Sequence, residues 1–393
     1  PLAVNRKTLR LLIVGTGLVV ALAAFWIASN LARERPPVSA AAQAASFEPI
    51  ERTDQAEAGR EVPLYYDALR EWEAANLRPG SERIDVAASA FARRSADPPI
   101  ATGAYAGAGD ALLWREAEGW VEYEVYAEQA GLYELHVRYH PLDTDAGVKK
   151  LLLAATLNGE APYREARSMT LDRWVEEPEP PRFDEKGNQL RAFAREIEGW
   201  RTDALRDADG AYAGPLLWPL NEGRNVLRLE LLAEPAAIES LHFVPPRPIP
   251  AYADVRASYP ADARRTGKPI VLEAERFARK NTAAVQTMYD RDPLTTPLAY
   301  HRVRLNALGG WTWAKGRQSV TWTFEVPEDG LYHITLRVKQ NYRENLASFR
   351  TVRIDGDIPF AELAAYRFQY APGWQSVTLS DENGTPYDFL LAR

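Results

Sequence analysis

Two short clusters in this 393-residue sequence carry residue types able to hold or transform a ligand. Glu273 and Glu275 stand two apart in Val271-Leu272-Glu273-Ala274-Glu275, and on a strand that spacing puts both carboxylates on one face. Paired hard oxygens suit a structural calcium ion, which takes several oxygen ligands in loose geometry. The same pattern also describes an ordinary solvated strand face. A third reading is a catalytic acid/base pair, which has to flank a bond with its carboxyls about 5 to 10 Å apart in a cleft. Trp311 and Trp313 follow Gly309-Gly310 on a loop that feeds the next long strand. An exposed indole stacks on the apolar face of a pyranose while nearby amides and guanidinium groups fix the hydroxyls, and Gln340, Asn341 and Arg350 supply such groups at strand ends. The competing reading is that both tryptophans plug the end of a β-core, as large indoles commonly do.

Other chemistries are excluded or unsupported. The chain has no cysteine, which removes disulfides, thiolate zinc sites, cysteine nucleophiles and lipid-modified cysteine anchors. Of its five histidines, His136 and His140 lie four apart in a segment whose alternation (Tyr133, Leu135, Val137, Tyr139) marks a strand, so they do not share a helix face and read as packed or solvated. There is no G-x-S-x-G, H-E-x-x-H or phosphate-binding glycine loop outside an apolar run, and catalysis is not expected. A net charge of -7 offers no basic footprint for a nucleic acid. Eleven Trp and 18 Tyr suit β-sheet cores and sugar-stacking surfaces alike.

The elements that position these residues begin with a membrane segment. Arg6, Lys7 and Arg10 precede an apolar run over 11–32 of bilayer-spanning length, with Trp26 where an interfacial aromatic would sit. It reads as an uncleaved anchor behind a cytoplasmic tail (1–10), the alternative being a signal peptide cleaved near Ala42-Gln43-Ala44; either way the remainder is exported. Residues 33–60 read as a flexible stalk and 61–80 as a linker helix.

The rest of the chain is written twice. Tyr66, Arg70, Ile84 and Phe91 recur as Tyr252, Arg256, Ile270 and Phe277, 186 positions on; Trp114 and Gly131-Leu132-Tyr133 recur as Trp313 and Gly330-Leu331-Tyr332, 199 on. Asn158-Gly159 matches Asp355-Gly356 at 197, and Gly199-Trp200, Asp207 and Gly210 match Gly373-Trp374, Asp381 and Gly384 at 174. The shifts of offset place 13 extra residues before the second copy's first long strand and 23 extra in the first copy around Glu176 to Ala194. Trp311 then has Leu112 opposite it, and Glu273 and Glu275 have Ala87 and Ser89. Period-two alternation in Val121-Tyr123-Val125 and in Val320-Trp322-Phe324-Val326 makes these strands with one buried face. The expected fold is mainly β: two tandem antiparallel β-sandwich modules over 81–247 and 269–393, with a second linker helix at 248–268. The first copy's Leu227-Leu229-Leu231 and Leu241–Val244 strands have no counterpart before Arg393, so the second module is expected to be truncated.

GLYHITLRVKQN, RTVRIDGDIPFAE, the D-x-x-G-x-P-Y segment and the preceding EAE resemble the N-terminal region of large extracellular solute-binding proteins of Gram-positive bacteria. DEKGNQLR, EGW, RDADGAY and L-x-x-G-x-N resemble the first module of that family. The resemblance implies two galactose-binding-like jelly rolls akin to carbohydrate-binding modules of families 6 and 35, ahead of a domain that serves an ABC sugar importer. It implies a structural calcium at Glu273 and Glu275, a glycan partner, attachment to the membrane by the N-terminal helix, an extracellular location, and a permease contacted through a domain this sequence does not contain. The alternatives from other classes are spacer or protein-interaction modules without sugar binding, and accessory modules of an exported polysaccharide-degrading enzyme.

Overall fold

The computed structural model describes residues 62–142, 149–177 and 180–393. Among these, no helix is long and apolar enough to cross a membrane; the expected anchor at 11–32 lies outside the described residues.

In the first module, alternation closes two antiparallel sheets on each other. Gly131–Pro141 turns Tyr133, Leu135, Val137 and Tyr139 inward from one sheet, and Gly223–Ala233 turns Leu227, Leu229 and Leu231 inward from the other. Ala236–Val244 is a central strand of the first sheet, flanked by Gly131–Pro141, by Ala108–Trp114 and by Ile84–Ala87. Gly223–Ala233 lies between Trp120–Ala127 and Leu151–Leu157 in the second. From Trp120 to Leu157, and again from Arg201 to Val244, successive strands alternate between the sheets, the wrapping of a jelly roll. Trp114, Trp218, Tyr123 and Tyr163 fill the core between them.

Helix α1 (Tyr65–Ala74) is part of this core and does not stand off as a spacer. Tyr65 is buried, 4.8 Å from the Tyr163 ring, and its amide donates to the Glu165 carboxylate at 2.8 Å. Helix α2 (Tyr252–Ala257) repeats the arrangement: Tyr252 packs 4.9 Å from Phe360 and its amide donates to Glu362. The structural partner of Tyr252 is therefore Tyr65, one residue from the Tyr66 that sequence matching selects.

The second copy pairs its strands in the first copy's register. Tyr139 faces Arg201 as Val338 faces Gln375, Arg93 faces Glu122 as Arg279 faces Thr321, and Leu151 faces Leu171 as Ser348 faces Phe368. Tyr133 faces Trp218 as Tyr332 faces Phe389, an offset of 171 for the last pair. Arg393 thus corresponds to Glu222 and not to Pro219, because the turn after Asp207 is three residues longer than the one after Asp381.

Among the described residues no strand takes the positions that Gly223–Ala233 and Ala236–Val244 hold in the first module. The local consequences are direct. Ile84–Ala87 is a strand because Ser240–Phe243 pairs with it, whereas the equivalent residues 270–273 have no partner and form no ladder. Likewise only Val320–Thr321 of the expected 320–326 strand is laddered, and Val271, Phe324 and Phe349 are exposed.

The hairpins reveal where the copies diverge. Ala101 faces Leu113 and Thr102 faces Leu112; in the second copy Thr287 faces Leu308 and Met288 faces Ala307. The 13 extra residues are therefore split, nine lengthening the hairpin tip that becomes residues 289–306 and four forming Gly309–Thr312. The counterpart of Leu112 is Ala307, and Trp311 lies in a segment the first copy lacks.

Residues 62–393 form one unit, and the seam between its modules is specific. Val175–Glu176, from the first module's insertion, joins Arg279–Lys280 of the second, giving a four-stranded sheet in the order Arg195–Glu196, Val175–Glu176, Arg279–Lys280, Val320–Thr321. Asp172 accepts hydrogen bonds from Asn281 Nδ2 at 2.9 Å and Arg317 Nη2 at 3.1 Å, with Lys150 Nζ 3.5 Å away. Gly210 and Gly316 touch so closely that a Cβ on Gly316 would lie 2.7 Å from the Asp209 carbonyl. Gly316→Ala is expected to cost about 1–3 kcal/mol by overpacking backbone against backbone; a Tm from thermal unfolding equal to that of the native chain would show that the seam yields freely.

Candidate functional site

The two insertions meet. The first module's hairpin, Arg182–Phe183 with Gln189–Leu190, is closed by an Asx turn: Asp184 Oδ1 accepts from the amides of Lys186 at 2.9 Å and Asn188 at 2.8 Å. Asp207 and Asp381 close similar turns, accepting from Ala211 and from Asn383 and Thr385. The hairpin's other edge binds the second module's insertion. Asn188 Oδ1 accepts from the Val303 amide at 2.9 Å, the Gln189 amide donates to Val303 O at 3.0 Å, and Gln189 Oε1 accepts from the Leu305 amide at 3.1 Å. Arg304 Nη1 reaches Gly187 O at 2.7 Å and Arg191 Nε reaches Thr287 O at 2.9 Å.

Between them lies an open groove of about 200 Å³, lined chiefly by Glu177, Arg191, Phe193, Ala283, Gln286 and Thr287. Phe193 is 76% exposed, an unusual state for a ring that burial would stabilise by about 2 kcal/mol. Beside the groove, the Gln286 backbone fastens a single turn of 3-10 helix, Gly310–Thr312: Gly309 donates to Gln286 O at 2.9 Å and the Gln286 amide donates to Thr312 Oγ1 at 3.0 Å. Gly309 and Gly310 have φ of 95° and 55°, conformations that glycine adopts without strain, and this bend carries Trp311 outward with 71% of its surface exposed.

Lys280 braces the groove floor. It is fully buried, its ammonium bonded to the Glu177 carboxylate and lying 4.9 Å from the Phe277 ring. The first copy keeps the same pair as Arg94 over Phe91 at 5.2 Å.

The structure brings together Trp313 and Arg350 of the expected ligand residues. Trp313 is half-buried, its indole N–H donating to Gln318 O at 3.0 Å and the Arg350 guanidinium 5.3 Å from its ring. No ring contact joins it to Trp311 among the described residues. Gln340 donates to Leu346 O within its own loop, and Asn341 is exposed there. Trp200 and Trp374, which correspond by register, each lie under a cation, Arg138 at 5.8 Å and Lys339 at 5.9 Å, and hold loops by donating to Ala106 O and Asp290 Oδ2. His140 is buried against Tyr105 and Trp200, and His136 pairs with Glu134.

Glu273 and Glu275 do not share a strand face, because the segment is an unladdered bend ending in a turn in which the Arg276 amide donates to Glu273 O. Desolvation, helped by the Glu273 charge, raises the Glu275 pKa above the ordinary carboxylate value. Calcium takes six to eight oxygens, and no group of three or more acidic or histidine side chains suited to a metal occurs among the described residues. Among the described residues Glu273 and Glu275 are two of the several ligands that a calcium ion there would need.

Phe193, Arg191 and Gln286 carry no motif, and sequence reading passed over them. The signal that could have found them was the change of repeat offset, since all three lie inside or beside the two insertions.

No protein-family model matches the sequence, and no curated protein matches it. Among solved structures the chain is similar to a family 35 carbohydrate-binding module from Clostridium thermocellum, at 15% identity and a TM-score of 0.25, over 42% of this chain and 100% of that one. It is similar to the C-terminal family 6 module of a marine laminarinase from Zobellia galactanivorans, at 8% identity and a TM-score of 0.26, over 42% and 99%. A carbohydrate-binding module from Cellvibrio mixtus lichenase 5A, in complex with cellotriose, matches at 12% identity and a TM-score of 0.24, over 42% and 97%. At these scores the sheets described above, and not the similarities, define the fold.

Two outcomes follow from the site. Glu177→Ala leaves the Lys280 ammonium buried without its carboxylate and is expected to lower unfolding free energy by about 3 kcal/mol in denaturant titration. Millimolar calcium tests the expected ion, since a cation bound only by the folded chain raises Tm; a rise that Glu273→Gln abolishes supports the calcium reading, and an unchanged Tm removes it.

Proposed function

We propose that this chain is a non-catalytic carbohydrate-binding protein whose ligand lies in the groove between the two insertions. The observation that carries the reading is the strongly exposed Phe193 ring in the groove beside the hydrogen-bonding side chains of Arg191 and Gln286, with a second exposed ring, Trp311, on the turn that is bonded to the Gln286 backbone. A sugar ring offers an apolar C–H face and a rim of hydroxyls, and this surface offers indole or phenyl faces and polar groups to match. Among the described lining residues the one carboxylate, Glu177, is engaged by Lys280, whereas glycoside hydrolysis ordinarily needs two carboxylates across the bond.

The sequence resemblance to extracellular solute-binding proteins extends the proposal: the modules hold glycan outside a membrane, beside a sugar importer, with the 11–32 segment as anchor. Fractionation of cells expressing the full gene tests that extension, which predicts the chain in the membrane fraction and accessible to added protease.

Trp311→Ala is expected to weaken oligosaccharide binding about tenfold, equivalent to about 1.4 kcal/mol, with no change in Tm because the indole is outside the core. Calorimetric titration measures both affinities. Undiminished affinity in the Trp311→Ala, Phe193→Ala double variant would move the ligand elsewhere, and a screen of neutral and acidic oligosaccharides in which none binds would favour the spacer function.

A further inference from the structure

We propose that the Arg93–Arg94 edge of the first module is a strand-addition site for a partner polypeptide, one that offers an extended segment of aromatic, β-branched, variable and acidic residues in that order. The second module shows the same edge in use. Arg279–Lys280 is the counterpart of Arg93–Arg94, and it carries Val320–Thr321 on one side and Val175–Glu176 on the other. Its contacts define what it accepts. Val175 is buried opposite Lys280 in the ladder, the Lys280 ammonium is bonded to the Glu177 carboxylate, and the Arg279 guanidinium lies 4.4 Å from the Trp174 ring. Trp174, Val175 and Glu177 thus form one recognition sequence presented in extended chain.

The first module repeats the receiving half. Ala92 N donates to Glu122 O at 2.8 Å and Ser95 N to Trp120 O at 2.9 Å, as Ala278 N donates to Thr321 O at 2.8 Å and Asn281 N to Ser319 O at 3.1 Å. Antiparallel pairing turns alternate residues toward opposite neighbours, so Arg94, like Lys280, directs its amide and carbonyl away from the strand it is paired with. Lys280 meets Val175 there, whereas Arg93–Arg94 is the last strand of its sheet among the described residues. The side chains match as well. Arg94 lies 5.2 Å from the Phe91 ring and bonds to Ile100 O, as Lys280 lies 4.9 Å from Phe277 and bonds to Val285 O. Both arginines are exposed, Arg93 being paired with the Glu122 carboxylate. A short, charged edge ordinarily discourages strands, yet the equally short and charged Arg279–Lys280 takes one, because the incoming segment supplies a carboxylate. A second copy of this chain has its own Trp174 and Glu177 engaged at its seam, which points to a different polypeptide as the donor.

The test is amide hydrogen exchange and amide chemical shifts of the full chain with a capped synthetic peptide spanning residues 171–177. At saturation the peptide is expected to shift the Arg93 and Arg94 amide resonances and to slow Arg94 exchange at least about tenfold. Arg279 and Lys280 stay unchanged, because their own strand is tethered in the same chain. Glu177→Lys in the peptide alone is expected to weaken binding at least about tenfold, and Arg94→Glu in the chain to recover it. The peptide variant leaves the chain untouched, so its result stands whether or not Arg94→Glu folds. No shift at Arg93 and Arg94, shifts at Lys280 in their place, or equal binding of the Glu177→Lys peptide overturns the proposal. Concentration-dependent protection of the Arg94 amide in the chain alone also overturns it, by making a second copy the occupant.

Discussion

The burial of the Lys280 ammonium between the modules is the constraint on which the rest of the structure depends. A cation removed from water costs several kcal/mol unless it is paired, and its partner Glu177 comes from the other module, directly after the strand Val175–Glu176 that extends the second module's sheet. The strand pairing and the ion pair are therefore one device: neither forms without the first module's insertion in place. The second module has a smaller core, built around Phe360, Leu363, Phe368, Leu379, Tyr387 and Phe389, and it gains at the seam some of the order that the first module obtains from two further strands.

Duplication and divergence have separate consequences. What the copies share, the registers at 139/201 and 338/375 and the aromatic anchors Tyr65 and Tyr252, builds scaffold. What they do not share, residues around 176–194 in one and 289–306 with Gly309–Thr312 in the other, is drawn together by strand pairing and by side-chain bonds to backbone at the seam. A surface built largely at divergent segments is free to carry ligand chemistry, because few of the registers that hold each sandwich pass through it.

Much of the scaffold was legible in the sequence for a physical reason: a half-buried strand must alternate, and Leu227-Leu229-Leu231 or Tyr133-Leu135-Val137 admits few other readings. The reading failed where formation of an element depends on a partner strand. Val271 to Glu275 has strand-like spacing, but a strand exists only as a ladder, and the segment that pairs with Ile84–Ala87 in the first module has no counterpart here. The tryptophans show the same limit at the site. Trp311 and Trp313 look equivalent as a motif, yet the turn between Gly309 and Trp313 sends one outward and lets Arg350 and Gln318 bury the other. Phe193 could not be chosen over the chain's other aromatic residues, since its exposure depends on tertiary packing and no local pattern records it.

Preorganisation favours the proposed site at the seam over the open loops at 340–346. Immobilising a long side chain on binding costs about 0.5–1.5 kcal/mol, and that cost falls when the free protein already restricts the side chain. Arg191 is tethered by Nε to Thr287 O, and the turn bearing Trp311 is bonded at both ends to the Gln286 backbone. By contrast Gln340 is engaged with Leu346 O, so a ligand there would first have to displace that bond. The strand pairing that joins the modules also fixes the spacing of Phe193 and Arg191 relative to Gln286, the residues on which the proposed glycan site rests.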